Sequence, residues 1–202
     1  VDVMSDKQAV RQDIRPLKVL LLNLMPKKQD TDIQFARLFG NSPLQIEMIL
    51  MTTASYTPRH TEQGYLRRFY RQLEDVQDDY FDALIVTGAP VERLPFSDVA
   101  YWDELTQIME WSRTHCFRRL GICWGAQALL YHLHGVEKHD CGEKLFGIFR
   151  HSLIHNSGRL LRGFTDTFPM PVSRYTENRR ADLETVGIEV LAESAECGLG
   201  MA

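Results

Sequence analysis

The chain has 202 residues, of which 44% are hydrophobic and 25% are charged, and its formal net charge at pH 7 is −4. These values are ordinary for a soluble globular protein, and the length suits a domain with a sizeable core. They exclude a basic field for nucleic acid, because the 23 Lys and Arg residues are scattered, and no apolar run approaches the ~20 residues of a membrane span.

The N-terminus and the cysteines indicate the compartment. Residues 1–15 are polar and lack the apolar segment of a signal peptide, so we expect an N-terminal arm there. Cys116, Cys123, Cys141 and Cys197 form no Cys-x-x-Cys pair, which argues against a zinc knuckle. The expected location is a reducing cytoplasm, and no metal is expected, because the histidines and acidic residues lack ligand spacing.

Apolar runs alternate with helical patterns along most of the chain. Near-continuous apolar runs are typical of strands that are buried on both faces of a parallel sheet. Apolar residues at helical spacing predict the helices between them. The predicted strands are 17–24, 44–51, 81–87 and 118–122, and the predicted helices run from Asp30 or Thr31 to Gly40, from 64 to 76, from 102 to 114 and from 126 to 133.

This alternation predicts the fold class, which is α/β with a doubly wound, mainly parallel sheet and helices on both faces. We expect one domain over residues 16–202. After Gly135 the pattern weakens: residues 146–149 and 187–192 are predicted strands, and the proline-containing stretch between them is predicted to be loop-rich. Ligands of such sheets bind at the carboxyl ends of strands, where Gly88-Ala89-Pro90 and Cys123 fall.

The most informative motif is Gly-Ile-Cys-Trp-Gly-Ala-Gln at residues 121–127. It lies between a predicted strand and a predicted helix, which is where a nucleophile is presented on a sharp turn. Glycines allow such a crowded turn, and the positive end of the helix favours the thiolate form of Cys123. The alternative is that Cys123 is a small buried hydrophobic residue, as most cysteines are.

This motif resembles the nucleophile elbow of class I glutamine amidotransferases. Longer blocks are similar to the homoserine O-acyltransferase family, which includes homoserine transsuccinylase and transacetylase. The resemblance spans about residues 17 to 195 and implies a flavodoxin-like, amidotransferase-like fold. The similar blocks are LLNLMPKKQDTDIQFARLFGNSPLQIE (21–47), FDALIVTGAPVE (81–92), FSDVAYWDEL (96–105), EKLFGIF (143–149) and SRY (173–175).

The resemblance implies acyl transfer from an acyl-CoA to the hydroxyl of an amino acid. Cys123 would attack the thioester and carry the acyl group as an enzyme thioester. Lys144 and Ser173 match substrate-contact positions of the family, and a cation at Lys144 suits a carboxylate on the acceptor. No bound cofactor is implied beyond acetyl-CoA as co-substrate, and a homodimer is implied by the resemblance alone.

Glu92 bears on the choice of acyl donor. The family resemblance associates this position with donor specificity, and a glutamate there resembles the acetyl-specific members. A carboxylate would fill the space and repel the carboxylate of a succinyl group, so acetyl-CoA is the expected donor. L-homoserine is the expected acceptor, but L-serine is one methylene shorter and stays open, because a methylene is worth only ~1–3 kcal/mol.

A tetrahedral intermediate requires hydrogen-bond donors for its oxyanion. The backbone N–H of Trp124 is one candidate, because it lies at the predicted start of a helix. The loop after strand 81–87 provides a second, at Ala89 or Val91, since Pro90 has no N–H to donate.

The chain departs from the family in one respect. The resemblance implies a catalytic histidine in a segment of the form Gly-His-x-Glu-Tyr-Asp, downstream of the matched region, and the 202 residues contain no such segment. We therefore expect the chain to be C-terminally incomplete and to show little or no turnover on its own, because general-base help is worth about 10²–10⁴-fold. Two other functions stay open: an amidotransferase-like glutamine hydrolase, and a catalytically inactive fragment.

Overall fold

A computed structural model describes residues 15–55, 62–154 and 159–202. The predicted N-terminal arm, apart from Arg15, lies outside these residues. The chain divides into two compact units, the first ending at Ala128 and the second running from Leu129 to Ala202. Each unit is described by itself.

The first unit contains a parallel sheet of five strands: β1 (Leu17–Leu22), β2 (Ile46–Met51), β3 (Tyr70–Arg71), β4 (Phe81–Val86) and β5 (Cys116–Gly121). Their order in the sheet is β3-β2-β1-β4-β5. Without the two-residue strand β3, the order matches the start of a flavodoxin-like sheet. A 3₁₀ turn at Phe96–Asp98 precedes the helix Trp102–His115. The helices are α1 (Lys28–Gly40), α2 (Gln63–Phe69), α3 (Leu73–Val76), α4 (Trp102–His115) and α5 (Trp124–His134), of which α5 begins in the first unit and ends in the second.

The strand order explains why the sheet is covered on both faces. The β1–α1–β2 crossover moves outward in one direction and the β4–α4–β5 crossover in the other. Right-handed crossovers therefore put α1 and α4 on opposite faces. The last four residues of β1 and the last three of β4 are buried without alternation, as expected of central strands. The predicted α/β fold with a doubly wound parallel sheet is confirmed.

Two boundaries in the first unit were predicted wrongly. The helix predicted over 64–76 is divided into α2, β3 and α3. It breaks because Tyr70 pairs with Leu50 of β2 and buries its ring, so tertiary contacts override helical spacing. Helix α1 begins at Lys28, before the predicted caps Asp30 and Thr31, and places the Asp30 carboxylate in its first turn.

The second unit is built on an antiparallel sheet of four strands, β6 (His139–Leu153), β7 (Thr167–Glu177), β8 (Ala192–Ser194) and β9 (Gly198–Met201), in the order β7-β6-β8-β9. This sheet was not predicted. Its core contains Val136, Leu183 and Val190. A further 3₁₀ turn lies at Arg159–Leu161. One helix, α6 (Arg180–Thr185), lies between β7 and β8 in the chain.

Strand β7 corrects the prediction of a loop-rich stretch. Pro169 and Pro171 pair with Arg150 and Ile148 of β6. Proline is tolerated there because β7 is the outer strand of the described sheet, where one side of the backbone needs no partner strand. The strand predicted over 187–192 is also shifted, since β8 begins only at Ala192.

Candidate active site

Cys123 lies in the turn between β5 and α5. Its φ of +55° is in the left-handed region, which few residues other than glycine adopt. The residue is exposed. The N–H groups of Ala126 and Gln127 donate to the Cys123 carbonyl at 3.0 and 3.2 Å, so the hydrogen bonds of α5 begin at this residue. Backbone strain of this kind concentrates at active sites and is a feature of nucleophile elbows.

Two glycines of the motif make this turn possible. A Cβ on Gly121 would lie 2.4 Å from the Ala126 Cα, and a Cβ on Gly125 would lie 2.4 Å from the Val86 carbonyl oxygen. Both obstacles are backbone atoms, which cannot rotate away as a side chain can. The close approach of α5 to β4 and β5 therefore requires glycine at both positions.

The loop after β4 lies against the Cys123 turn. A Cβ on Gly88 would lie 3.2 Å from the Cys123 Cβ and 3.7 Å from its Sγ. The Ile122 N–H donates to the Val86 carbonyl at 2.9 Å, which extends the pairing of β4 and β5 up to the turn. Ala89, the predicted oxyanion donor, is the next residue of this loop and is buried. The carboxyl ends of two neighbouring strands thus meet at the thiol, as predicted.

The side chain of Trp124 anchors the start of α5. It is completely buried. The centroid of its ring lies 5.9, 6.3 and 6.4 Å from the ring centroids of Phe96, Tyr101 and Trp102. Its backbone N–H belongs to the first turn of the helix, where such groups have no acceptor within the helix. The amide and the positive helix end are therefore adjacent to the sulfur, and Trp124 stays a predicted oxyanion donor.

Glu92 follows on the same loop as Gly88. It is half-buried in a turn over residues 90–93, next to the half-buried Val91. A half-buried carboxylate on the loop that contacts Cys123 is in keeping with the predicted role in donor choice, which stays a prediction.

Lys144 and Ser173 lie in the second unit, on β6 and β7. Ser173 pairs directly with Phe146, and residues opposite each other share a face of the sheet. The Lys144 Nζ lies 5.4 Å from the centroid of the Phe146 ring and 5.6 Å from that of Tyr175, which is cation–π distance. The two predicted substrate-contact residues therefore lie on one exposed face, together with an aromatic ring that the sequence did not single out.

The remaining three cysteines differ from Cys123. Burial raises the pKa of the Cys116 thiol to about 12 and also raises that of Cys141. Cys197 is buried, with its Sγ 3.6 Å from the Nε2 of the buried His151. Cys123 is the one exposed thiol of the four, which favours the nucleophile interpretation over the buried alternative.

A buried polar cluster at the carboxyl end of β1 was missed. Asn23, Lys28, Asp32 and Tyr70 are all buried. The Tyr70 hydroxyl and the Asn23 amide donate to the Asp32 carboxylate at 2.7 and 2.9 Å, and the Lys28 ammonium donates to the Asn23 carbonyl. Burial lowers the pKa of Lys28 to about 8, although the Asp32 charge opposes this, and raises the pKa of Tyr70. The available signal was the run of polar residues 27–32, which begins a few residues after a buried strand.

The described residues contain neither a group of metal-binding side chains nor a membrane-spanning helix. In residues 15–55, 62–154 and 159–202, no three His, Cys, Asp or Glu side chains are grouped so that they could hold a metal ion. None of the described helices is long and apolar enough to cross a bilayer.

The fold and the turn define a class: α/β proteins that present a cysteine on a strand-to-helix elbow, as in the glutamine amidotransferase-like fold. Solved structures show the same fold. A Thermoplasma acidophilum protein, described as a putative GMP synthase subunit, has a TM-score of 0.59 at 17% identity, covering 92% of this chain and 77% of that one. A glutamine amidotransferase from Thermotoga maritima has a TM-score of 0.56 at 13% identity, covering 92% and 70%.

The family follows from the sequence. The family model described as homoserine O-succinyltransferase matches residues 1–202, and the chain belongs to this family. Curated relatives named homoserine O-acetyltransferase are 50% identical in Brevibacillus brevis and 51% identical in Thermotoga neapolitana, each over 98% of this chain. The chain spans 65% of the length of these relatives.

Proposed function

We propose that the protein transfers an acetyl group from acetyl-CoA to the hydroxyl of L-homoserine through a thioester on Cys123, a step of methionine biosynthesis. The observation that carries the proposal is the exposed thiol in a left-handed turn at the start of α5, with the Gly88 loop against it. The name that the relatives share, homoserine O-acetyltransferase, supports the acceptor and the acyl group.

The reaction has two halves. In the first, the Cys123 sulfur attacks the thioester carbonyl, the carbon–sulfur bond to CoA breaks, and CoA leaves as a thiol that carries the cysteine proton. In the second, the homoserine hydroxyl attacks the enzyme thioester, the Cys123 sulfur leaves, and the hydroxyl proton returns to it. Each half passes through an oxyanion, which the N–H groups of Trp124 and Ala89 stabilise. Lys144 binds the carboxylate of the acceptor, and Ser173 contacts the polar end of the same molecule.

Mass spectrometry after incubation with acetyl-CoA tests the first half. We expect one acetyl group on the peptide that contains Cys123, and none in a Cys123→Ser variant. An acetyl group on another residue, with Cys123 unmodified, would contradict the mechanism. Release of the acetyl group by L-homoserine, with L-serine in parallel, then identifies the acceptor.

Succinyl-CoA is the second candidate donor, because the matching family is described as homoserine O-succinyltransferase. The half-buried Glu92 argues against it, since a succinyl carboxylate would meet a like charge in a partly desolvated loop. Parallel acylation with the two donors decides the question. We expect acetyl-CoA to be preferred and a Glu92→Gly variant to gain activity with succinyl-CoA. A wild-type preference for succinyl-CoA would overturn the assignment.

A further inference from the structure

Thr87 occupies the point where the sheet reverses its strand order. It follows β4, and the reversal lies between β1 and β4. The hydroxyl is buried and has two partners: it accepts the Leu24 N–H at 2.8 Å and donates to the Gly88 carbonyl at 3.1 Å. The loop after β1 is thereby tied to the loop that lies against Cys123.

The second of these bonds fixes the orientation of one peptide group. The Gly88 carbonyl and the Ala89 N–H belong to the same planar trans peptide and point in opposite directions. Because the Thr87 hydroxyl holds the carbonyl on its own side, the Ala89 N–H must point away from Thr87. In the described part of the chain, this buried N–H has no hydrogen-bond acceptor.

The Cys123 thiol lies close to Gly88. The Cβ position of Gly88 lies 3.2 Å from the Cys123 Cβ and 3.7 Å from its Sγ. An N–H at residue 89 that points away from Thr87 is therefore within the neighbourhood of the reacting sulfur. A loop peptide beside a glycine rotates easily, since glycine accepts most backbone conformations, and something must hold it.

We propose that Thr87 is a positioning residue, whose hydroxyl holds the Gly88–Ala89 peptide with its N–H aimed at the oxyanion formed on Cys123. The proposal rests on the proposed function, because it assigns Thr87 a part in the acylation half of that reaction. Thr87 does not touch the substrate. It acts through the peptide, and through Leu24 it makes the loop after β1 part of the support.

The test compares two reactions of the same thiol. Acylation of Cys123 by p-nitrophenyl acetate passes through a tetrahedral oxyanion, whereas alkylation by iodoacetamide forms none. We expect Thr87→Val, which keeps the shape without the hydroxyl, to acylate about tenfold more slowly or worse, because an oxyanion-hole donor is worth about 10²–10³-fold. Its alkylation rate stays at the wild-type value. Thr87→Ala is the second variant without the hydroxyl.

Two controls separate positioning from stability. Thr87→Ser keeps the hydroxyl, and we expect it to restore acylation. Ser112→Ala, in α4, also removes a buried hydroxyl that donates to a backbone carbonyl, at 2.6 Å, and we expect its acylation to be unchanged. Equal acylation by wild type and Thr87→Val would overturn the proposal, as would equal losses in Thr87→Ser or Ser112→Ala.

The same experiment distinguishes this proposal from the proposed function. If acetyl-CoA leaves Cys123 unmodified but p-nitrophenyl acetate acylates it in a Thr87-dependent way, the proposed function is wrong and the positioning role stands. If Cys123 accepts the acetyl group from acetyl-CoA and the Thr87 variants show no acylation defect, the positioning role is wrong and the function stands. A wild-type thiol that neither reagent acylates overturns both.

Discussion

Gly125→Ala should destabilise the protein because the new methyl group would meet two backbone carbonyl oxygens at very short distances. The new Cβ would lie 2.4 Å from the Val86 carbonyl oxygen and 2.5 Å from that of Thr87, while real Cβ contacts essentially never fall below 3.0 Å. Helix α5 and the end of β4 must therefore separate by about 0.6 Å, the difference between 3.0 and 2.4 Å. The same Val86 oxygen accepts the Ile122 N–H. We expect a loss of about 3 kcal/mol, the upper end for overpacking, because both obstacles are backbone.

Urea unfolding followed by circular dichroism measures this loss. Gly40→Ala is the matched control: it adds the same methyl group at the last residue of α1, where no atom lies within 4 Å of the new Cβ. We expect that control to be neutral or more stable by up to about 1 kcal/mol, because alanine favours the helix. Alkylation of Cys123 should change in Gly125→Ala and not in Gly40→Ala. A Gly125→Ala protein as stable as wild type would refute the close-packed elbow.

Two further predictions concern titratable groups. Because the pKa of Lys28 falls from 10.5 to about 8 in the folded protein, the unfolded state binds more protons between these pH values. The free energy of unfolding therefore rises with pH across that window by about 3 kcal/mol because of this group, and Lys28→Met should lack the rise. Equal pH slopes of the unfolding free energy in the two proteins would contradict this prediction. Among the thiols, N-ethylmaleimide at pH 8 should label Cys123 first, because it is exposed, and should label Cys116 only on unfolding, because that thiol is buried and its pKa is raised. Peptide mapping that finds Cys116 labelled first would contradict its burial.

The central strands were predictable because their side chains are buried on both faces. A strand such as 81–87 then carries a run of consecutive apolar residues, here residues 83–86, and its position could be predicted to within one residue. The Cys123 elbow was predictable for a different reason. The close packing of backbone against backbone requires glycine at residues 121 and 125, and both glycines can be read directly from the sequence.

The second unit was harder to predict because its sheet lacks that signal. In β6 the side chains of Phe146 and Ile148 are 74% and 76% exposed, so apolar residues there do not mark a buried face. Prolines in β7 indicated a loop, and only the position of the strand at the edge of its sheet makes them acceptable. The Lys28 cluster was missed because its partners Asn23 and Tyr70 are far apart in sequence, and side-chain bonds between distant residues leave no periodic pattern.

Strand β5, the outer strand of the described parallel sheet, bears on how the protein behaves at high concentration. Phe117 and Leu120 are 71% and 53% exposed there, and an apolar outer strand is a template for fibre-like pairing between copies. The guanidinium of Arg118 lies 4.2 Å from the Phe117 ring centroid, and Arg119 follows it. Two copies that met along this strand would bring four positive charges together. Repulsion between these charges opposes the pairing, so Arg118 and Arg119 protect the strand against aggregation.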